Sequence, residues 1–140
     1  MTNIEIVTQL LEEVWNKGEI ALVDDIIAPG YFLKNDPGDP SEHKALDLST
    51  FKDRVKLTRQ AFPDLHFKIE EIITEDDKTV VSWIMSGTHQ GDLPDFPATH
   101  KPFRITGITI YYLKDHKITG HWQSLDRLSL LGQLGVKIGK

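Results

Sequence analysis

The second half of the chain constrains the fold most, because it consists of a series of β-strands with little between them. The residue pattern predicts strands at about 65–75, 78–89, 101–114 and 116–126. Short polar stretches at 76–78 and 114–116 are typical of hairpin turns. Strands joined in this way pair as an antiparallel sheet, and one face of that sheet must be covered by helices.

The first half of the chain supplies two such helices in succession. Apolar residues recur at intervals of three and four over residues 3–17, which predicts an amphipathic helix with one apolar stripe. Gly18 is a good signal for the end of this helix. A second, shorter helix is expected at about 19–28, where Pro29 and Gly30 end it.

A strand and a third helix complete the order of elements. An extended segment is expected from Tyr31 into a polar loop. A helix then begins with Ser49 or Thr50 as its cap and ends before Pro63. The sequence therefore predicts one α+β domain over residues 1–140, with a curved sheet and helices packed across its concave face. Such an arrangement leaves a blind cavity between the layers, where a small molecule can bind.

Composition and charge exclude several functional classes. The 140 residues include 16 basic and 21 acidic ones, and the net charge of -5 disfavours nucleic acids and anionic membranes as partners. The absence of cysteine excludes disulfides, thiolate nucleophiles and cysteine-bound zinc. Acidic residues interrupt the apolar N-terminal stretch, so no signal peptide is predicted. No segment approaches the ~18 apolar residues of a membrane span. A cytoplasmic protein is expected.

Strand parity identifies candidate residues for a site in the cavity. Side chains two positions apart share one face of a strand, so Trp83, Met85 and His89 are expected to point inward together. By the same rule Trp122 and Asp126 share a face of the last strand, and we expect this face to point inward as well. No His-Glu-x-x-His motif and no histidine pair with helical metal-ligand spacing occurs in the sequence, so no metal site is predicted.

Each candidate also has a purely structural interpretation. Asp126 precedes a short helical turn at about 127–131, a position that is more often a helix cap than a catalytic one. Trp83 and Trp122 are typical of an apolar core, and His89 lies between two glycines, where it can close a turn. The residue pattern leaves both interpretations open.

Four stretches of the chain, taken together and in order, resemble sequences of one known family. They are Glu13-Val14-Trp15-Asn16-Lys17-Gly18, Ala61-Phe62-Pro63-Asp64-Leu65, Gly87-Thr88-His89-Gln90-Gly91, and a last stretch with Lys117-Ile118, His121-Trp122, Asp126, Leu131 and Gln133-Leu134-Gly135. They resemble the SnoaL-like polyketide cyclases of the nuclear transport factor 2-like superfamily. The resemblance covers nearly the whole chain, and four stretches in register are fairly specific to this family.

The resemblance implies a fold and a mechanism. The fold is a cone-shaped, antiparallel or mixed sheet with helices on its concave face, as in nuclear transport factor 2-like and cystatin-like proteins. Studied members close a ring by intramolecular aldol condensation of an aromatic polyketide ester, with an aspartate as general acid and base and with no metal or cofactor. The matching position here is Asp126. An apolar pocket can tune such a carboxyl group for proton exchange.

Strand parity and the resemblance together indicate a ligand, a partner and a binding site. The expected ligand is a small, apolar, carbonyl-containing compound, and a second copy of the chain is expected on the open face of the sheet, which gives a homodimer. Asn35 stands where family members often have a histidine, and the loop at 98–100 also departs from the usual sequence. The candidate substrate-binding residues are Asn35, Trp83, His89, Arg104, His121 and Trp122.

Two other functions stay open. One is non-catalytic binding of a small apolar ligand, because the pocket contains only one convincing acid–base group. The other is epoxide hydrolysis, which related folds perform with an Asp-Arg-Asp arrangement. Arg104, on the strand beside Asp126, is the candidate arginine, although such a residue is more often a solvated side chain of the sheet and no second aspartate is identified.

Overall fold

A curved, open sheet of six strands forms the body of the structure, a computed structural model that describes residues 1–94 and 96–136. The strands are β1 (Ile27–Asn35), β2 (Ala45–Leu46), β3 (His66–Glu75), β4 (Lys78–Thr88), β5 (Pro102–Lys114) and β6 (Lys117–Leu125). Their order across the sheet is β2-β1-β6-β5-β4-β3. β1 and β6 run parallel and the other neighbours run antiparallel, so the sheet is mixed.

Helices cover one face of this sheet. They are α1 (Asn3–Gln9), which continues as a π-helical segment over Leu10–Trp15, α2 (Val23–Ile26), which follows a 3-10 turn over Ile20–Leu22, α3 (Leu48–Ala61) and, after β6, α4 (Arg127–Gln133). A capping box begins α1: the Thr2 side chain accepts the Glu5 N–H, and the Glu5 carboxylate accepts the Thr2 N–H. None of the helices in the described ranges is long and apolar enough to span a membrane.

The observed order of helices and strands confirms the predicted fold class. The third helix begins earlier than predicted, because Asp47 provides its cap rather than Ser49 or Thr50. The Asp47 carboxylate accepts the Thr50 N–H at 2.7 Å, which satisfies one of the unpaired donors at the start of the helix. The helix ends before Pro63, as expected.

The second helix is shorter than predicted. It ends at Ile26, and β1 begins at Ile27, whose backbone is already extended and pairs with β6. Pro29 and Gly30 therefore lie within a strand and do not end a helix. They fall in an irregular interval of the β1–β6 pairing, between Ile27 and Phe32. A proline has no N–H, and at this point its absence removes no regular hydrogen bond between the strands.

The apolar stripe of the first helical segment packs into the core as predicted. Its fully buried residues are Ile6, Val7, Leu10, Leu11 and Val14. β4 contributes alternate residues to the same core, and Val81, Trp83 and Met85 are buried. The inward face predicted for this strand is confirmed.

The last strand contains a β-bulge at Thr119. Tyr112 of β5 pairs with Gly120, and the next residue, Leu113, pairs with Ile118. Two residues of β5 therefore face three residues of β6, and Thr119 is the extra one. A single extra residue in a strand reverses the alternation of all side chains that follow it.

This bulge changes which residues of β6 face the helices. Ile118 is buried before the bulge, and His121 is buried after it, with 3% of its surface exposed. Trp122 lies on the opposite face and is 38% exposed. The predicted inward orientation of Trp122 and Asp126 is therefore wrong, because it assumed an unbroken strand.

Candidate active site

A cavity of about 510 Å³ lies between α3, the segment after β1 and the concave face of the sheet. Its apolar lining comes mainly from Trp15, Phe51, Phe62, Phe67, Trp83, Met85 and Ile105. Its polar lining includes Asp36, Arg54, His121 and Gln123. A mostly apolar cavity of this size with a few polar groups suits a small organic molecule. Within residues 1–94 and 96–136, no three histidine, aspartate or glutamate side chains are grouped to hold a metal ion.

Asp36 is the buried carboxylate of this cavity, with 2% of its surface exposed. Its Oδ2 atom lies 2.8 Å from Nε2 of His121 and 3.3 Å from Nε2 of Gln123. Nη2 of Arg54 lies 3.5 Å from the same oxygen. A buried carboxylate needs such donors, because it has lost its hydration. All these contacts reach Oδ2, so among the described residues no hydrogen bond occupies Oδ1.

His121 connects Asp36 to a buried tyrosine. Its Nδ1 atom lies 2.5 Å from the hydroxyl oxygen of Tyr31. Burial raises the pKa of Tyr31 well above its usual value, so the phenol stays protonated beside Nδ1. A carboxylate can only accept hydrogen bonds, so Nε2 of His121 donates to Asp36. Both ring nitrogens are used in this way, and His121 has neither left for a ligand.

Arg54 brings a cation to the cavity from α3. Its guanidinium donates to Oδ2 of Asp39 at 2.9 Å and lies over the ring of Trp15, 5.6 Å from the ring centre. Burial acts to lower the pKa of Arg54, but the neighbouring Asp39 outweighs it, and the pKa is raised. Burial likewise acts to raise the pKa of Asp39, but Arg54 and the Ser41 N–H outweigh it, and the pKa is lowered. Both side chains are therefore charged at neutral pH.

The structure places two of the predicted binding residues, Trp83 and His121, on the cavity wall. Asn35 lies at the end of β1, where its amide donates to a backbone carbonyl of β6 at 3.1 Å. His89 is fully buried, and its Nδ1 lies 3.1 Å from the hydroxyl oxygen of Thr99. Asn35 and His89 are not among the described residues that line the cavity, and their part in ligand binding stays a prediction.

Three other predicted residues lie away from the cavity. Arg104 is exposed, which agrees with its interpretation as a solvated side chain of the sheet. Trp122 lies on the sheet face opposite the cavity. Asp126 caps α4, since its carboxylate accepts the N–H of Ser129 at 3.0 Å. The bulge at Thr119 turns Trp122 and Asp126 outward. The catalytic role of Asp126 stays a prediction.

The sequence patterns do not identify Asp36, Arg54 or Gln123 as cavity residues. A signal exists for Arg54, which lies three residues after Phe51 and four before Thr58 and so interrupts the apolar stripe of α3. A charge in the middle of an apolar stripe requires a buried partner. Gln123 was hidden by the bulge, which reverses the parity of β6.

Comparison with known proteins gives a family match. The sequence profile of the SnoaL-like polyketide cyclases matches residues 5–134. A proposed polyketide cyclase from Acidithiobacillus ferrooxidans has a similar structure, with a TM-score of 0.85 and 44% identity over 94% of this chain and 92% of that one. No curated protein sequence matches the chain.

Two proteins from Streptomyces also have this fold. IdmH from Streptomyces antibioticus, a proposed polyketide cyclase, has a TM-score of 0.79 and 25% identity, over 97% of this chain and all of that one. TsrD from Streptomyces laurentii has a TM-score of 0.80 and 24% identity, over 98% of this chain and all of that one. The resemblance identified from the four sequence stretches is confirmed.

Proposed function

Because this chain belongs to the SnoaL-like polyketide cyclase family, we propose that its cavity binds a flat, apolar compound with two carbonyl groups and closes a ring in it. The new bond forms by an intramolecular aldol reaction. One observation supports the proposal above all: Asp36 is a buried carboxylate in a mostly apolar cavity, with its Oδ2 held by donors of the protein. The apolar walls can hold an extended ligand in the folded shape that reacts.

Asp36 acts as the base and then as the acid. Its Oδ1 takes a proton from the carbon beside one carbonyl group, and the electrons of the broken C–H bond form an enolate. The enolate carbon attacks the second carbonyl carbon, so a C–C bond forms and the carbonyl electrons move to oxygen as an alkoxide. Asp36 returns its proton to that alkoxide. The proton is taken and given back, so the reaction balances without a metal, an oxidant or a cofactor.

Arg54 stabilises the negative charge that develops on the ligand. The enolate and the alkoxide are both anionic oxygens, and a fixed cation in an apolar cavity stabilises them more than water would. The guanidinium lies 3.5 Å from Asp36, and 19% of the Arg54 side chain is exposed, so a ligand oxygen can reach it. Asp39 holds the guanidinium in place from the other side.

An aromatic β-keto ester with a second carbonyl on a flexible side chain tests the proposal. The wild-type protein is expected to convert it to a cyclic isomer or to the corresponding dehydration product. Asp36→Asn keeps the shape of the side chain and is expected to lower turnover by about 100-fold or more. Asp126→Asn, which removes a carboxylate outside the cavity, is the matched control and keeps the full rate.

Two results would contradict this proposal. One is turnover that survives Asp36→Asn and disappears in Asp126→Asn, which would return the catalytic role to the helix cap. The other is turnover that chelation abolishes and that zinc or iron restores, because the proposed cycle contains no step that a metal performs.

The position of Arg54 between two aspartates favours a second candidate function, hydrolysis of an apolar epoxide. Ionised Asp39 would take a proton from water, and the water oxygen would attack an epoxide carbon. The C–O bond breaks, and the epoxide oxygen takes a proton from the Asp36 carboxyl group, which gives a diol. A proton that passes from Asp39 back to Asp36 restores both groups. This function requires diol formation that both Asp36→Asn and Asp39→Asn abolish. Absence of diol from an apolar cyclic epoxide would exclude it.

We further propose that the sheet face opposite the cavity binds a second copy of the chain. On this outer face, Phe32, Ile108 and Trp122 are 42%, 50% and 38% exposed. Trp122 pairs with Ile110 across β5 and β6, so the apolar surface continues over neighbouring strands. Removal of such an apolar face from water is favourable, and the identical face of a second copy can cover it symmetrically.

A further inference from the structure

A chain of hydrogen bonds runs from the wall of the cavity to Asp36. The indole N–H of Trp83 donates to the Thr109 hydroxyl oxygen at 2.8 Å. The Thr109 hydroxyl donates to Oε1 of Gln123 at 2.8 Å. The Gln123 amide then donates from Nε2 to Oδ2 of Asp36 at 3.3 Å. Three strands, β4, β5 and β6, therefore contribute one residue each to the support of the carboxylate.

The direction of this chain is fixed by its first member. An indole N–H can only donate, so the Thr109 oxygen must accept from it. The single hydroxyl proton of Thr109 is then directed to Gln123, and it requires the oxygen of the Gln123 amide on that side. The amide therefore presents its NH₂ group to Asp36. With the amide reversed, its oxygen would face the carboxylate and the Thr109 hydroxyl would face a donor.

Because Thr109 is buried, water cannot readily take the place of its hydroxyl group. Thr109 is fully buried and Trp83 is 2% exposed, so water has little access to either group. Thr109 and Gln123 are direct partners across β5 and β6, and the bulge at Thr119 is what turns Gln123 to this side of the sheet. Thr109 is not among the described residues that line the cavity.

We propose that Thr109 is a positioning residue for Asp36. It fixes the Gln123 amide, the amide holds Oδ2, and Oδ1 is thereby directed at the ligand. His121 holds Oδ2 from the other side through its own bond to Tyr31. This inference rests on the proposed function of Asp36 in proton transfer, although the chain of bonds can be tested without any turnover.

Nuclear magnetic resonance of side-chain N–H groups in the ligand-free protein tests the chain of bonds. Thr109→Val removes the hydroxyl at nearly constant volume and is expected to move the Trp83 indole signal and the Gln123 amide signals. Thr109→Ser retains the hydroxyl and should return them close to their wild-type positions. The Trp122 indole, on the outer face, is the internal reference. Thr79→Val removes a hydroxyl that is equally buried but outside the cavity, and leaves the signals in place.

Asp36→Asn provides a second measurement on the same signals. It is expected to move the Trp83 indole signal in the wild-type background and to leave it unmoved in the Thr109→Val background. Equal movement in both backgrounds would overturn the inference, because the effect would then bypass Thr109. If Thr109→Val does not fold, Trp83→Phe removes the first donor instead, and unchanged Gln123 signals in that variant would also overturn it.

Turnover of the aromatic β-keto ester supplies the functional measurement. Thr109→Val is expected to lower kcat roughly tenfold with little change in KM, because a misdirected carboxylate weakens the reacting geometry and not the apolar binding. Thr109→Ser should restore most of the rate. A wild-type protein without turnover would contradict the proposed function, whereas unchanged N–H signals in Thr109→Val would contradict the positioning role.

Discussion

His121 and Asp36 are 85 positions apart in the sequence, and their side chains meet in the interior with Nε2 and Oδ2 2.8 Å apart. They meet because β1 and β6 are parallel neighbours that pair Leu33 with His121, and Asp36 follows the last residue of β1. Tyr31 lies two residues before Leu33 and contacts the other nitrogen of His121. The carboxylate of Asp36 is therefore held by two side chains of β6, and one of them, His121, is bonded in turn to Tyr31 of β1.

The bond between Tyr31 and His121 is expected to contribute to stability. Tyr31→Phe removes the hydrogen-bond partner of Nδ1 of His121, and the buried nitrogen then has neither that partner nor water. The free energy of unfolding should fall by about 1–3 kcal/mol in urea denaturation. Tyr112→Phe removes a hydroxyl from a partly exposed tyrosine and should change it by less than about 0.5 kcal/mol. Equal losses in both variants would show that the bond contributes little.

Substitutions of Asp126 distinguish a helix cap from a catalytic group. The carboxylate accepts the Ser129 N–H at the start of α4, so Asp126→Ala should lower the free energy of unfolding by about 1 kcal/mol. Asparagine also caps helices well, and Asp126→Asn should be nearly silent in both stability and turnover. Thermal melting and turnover of the two variants check this. Turnover abolished by Asp126→Asn at unchanged stability would instead support the catalytic role implied by the family resemblance.

The ion pair between Asp39 and Arg54 predicts a pH dependence of stability. The pKa of Asp39 is lower in the folded protein than its ordinary value of 3.8, so the unfolded chain binds a proton there more readily. Ionised Asp39 therefore adds stability above about pH 4, and this contribution is lost as the pH falls through the lowered pKa. The difference in free energy of unfolding between wild type and Asp39→Asn should be largest near neutral pH and should shrink on acidification.

Urea denaturation at about pH 7, 5 and 3 measures this difference. Asp25→Asn, at an exposed position on α2, is the control and should differ from wild type by a similar small amount at each pH. A stability difference for Asp39→Asn that grows on acidification would reverse the expected sign and contradict the ion pair as its cause.

The outer face of the sheet gives a prediction about oligomeric state. Trp122→Lys places a charge in the centre of the apolar surface and should convert a homodimer into a monomer, as measured by light scattering after size-exclusion chromatography. Leu128→Lys, on α4, changes a residue that is 70% exposed outside the sheet and should leave the dimer intact. A wild-type protein that is monomeric at all accessible concentrations would contradict the proposed interface.

Helices and strands could be predicted from the sequence because their burial follows simple periods. The stripe from Ile6 to Val14 repeats at three and four residues, and β4 alternates strictly from Val81 to Met85. Both patterns arise because one face of an uninterrupted helix or strand is turned to the core. The second helix was predicted too long, because Ile27 is apolar and buried in either conformation and only its pairing with β6 makes it a strand.

The cavity could be predicted only in part, because its polar groups depend on contacts between distant elements. The alternation of side chains along the regular strand β4 predicts that Trp83 faces inward. Asp36 and Arg54 lie 18 positions apart on different elements. The position of Arg54 in an apolar stripe indicates a buried partner, but no local pattern identifies Asp36 as that partner. His121 was identified from the family resemblance, and the parity argument selected its neighbour Trp122 because no sequence pattern revealed the bulge at Thr119.

The extra residue at Thr119 also has a consequence for how such a chain can diverge. Loss of that one codon would remove the bulge and leave the faces of β6 unchanged, because Ile118, Gly120 and His121 would then alternate regularly with the same partners on β5. His121 and Gln123 would stay in the interior, and Trp122 would stay on the outer face. A one-residue gap at this point in an alignment of related chains would therefore mark the loss of the bulge and not a change of interior residues.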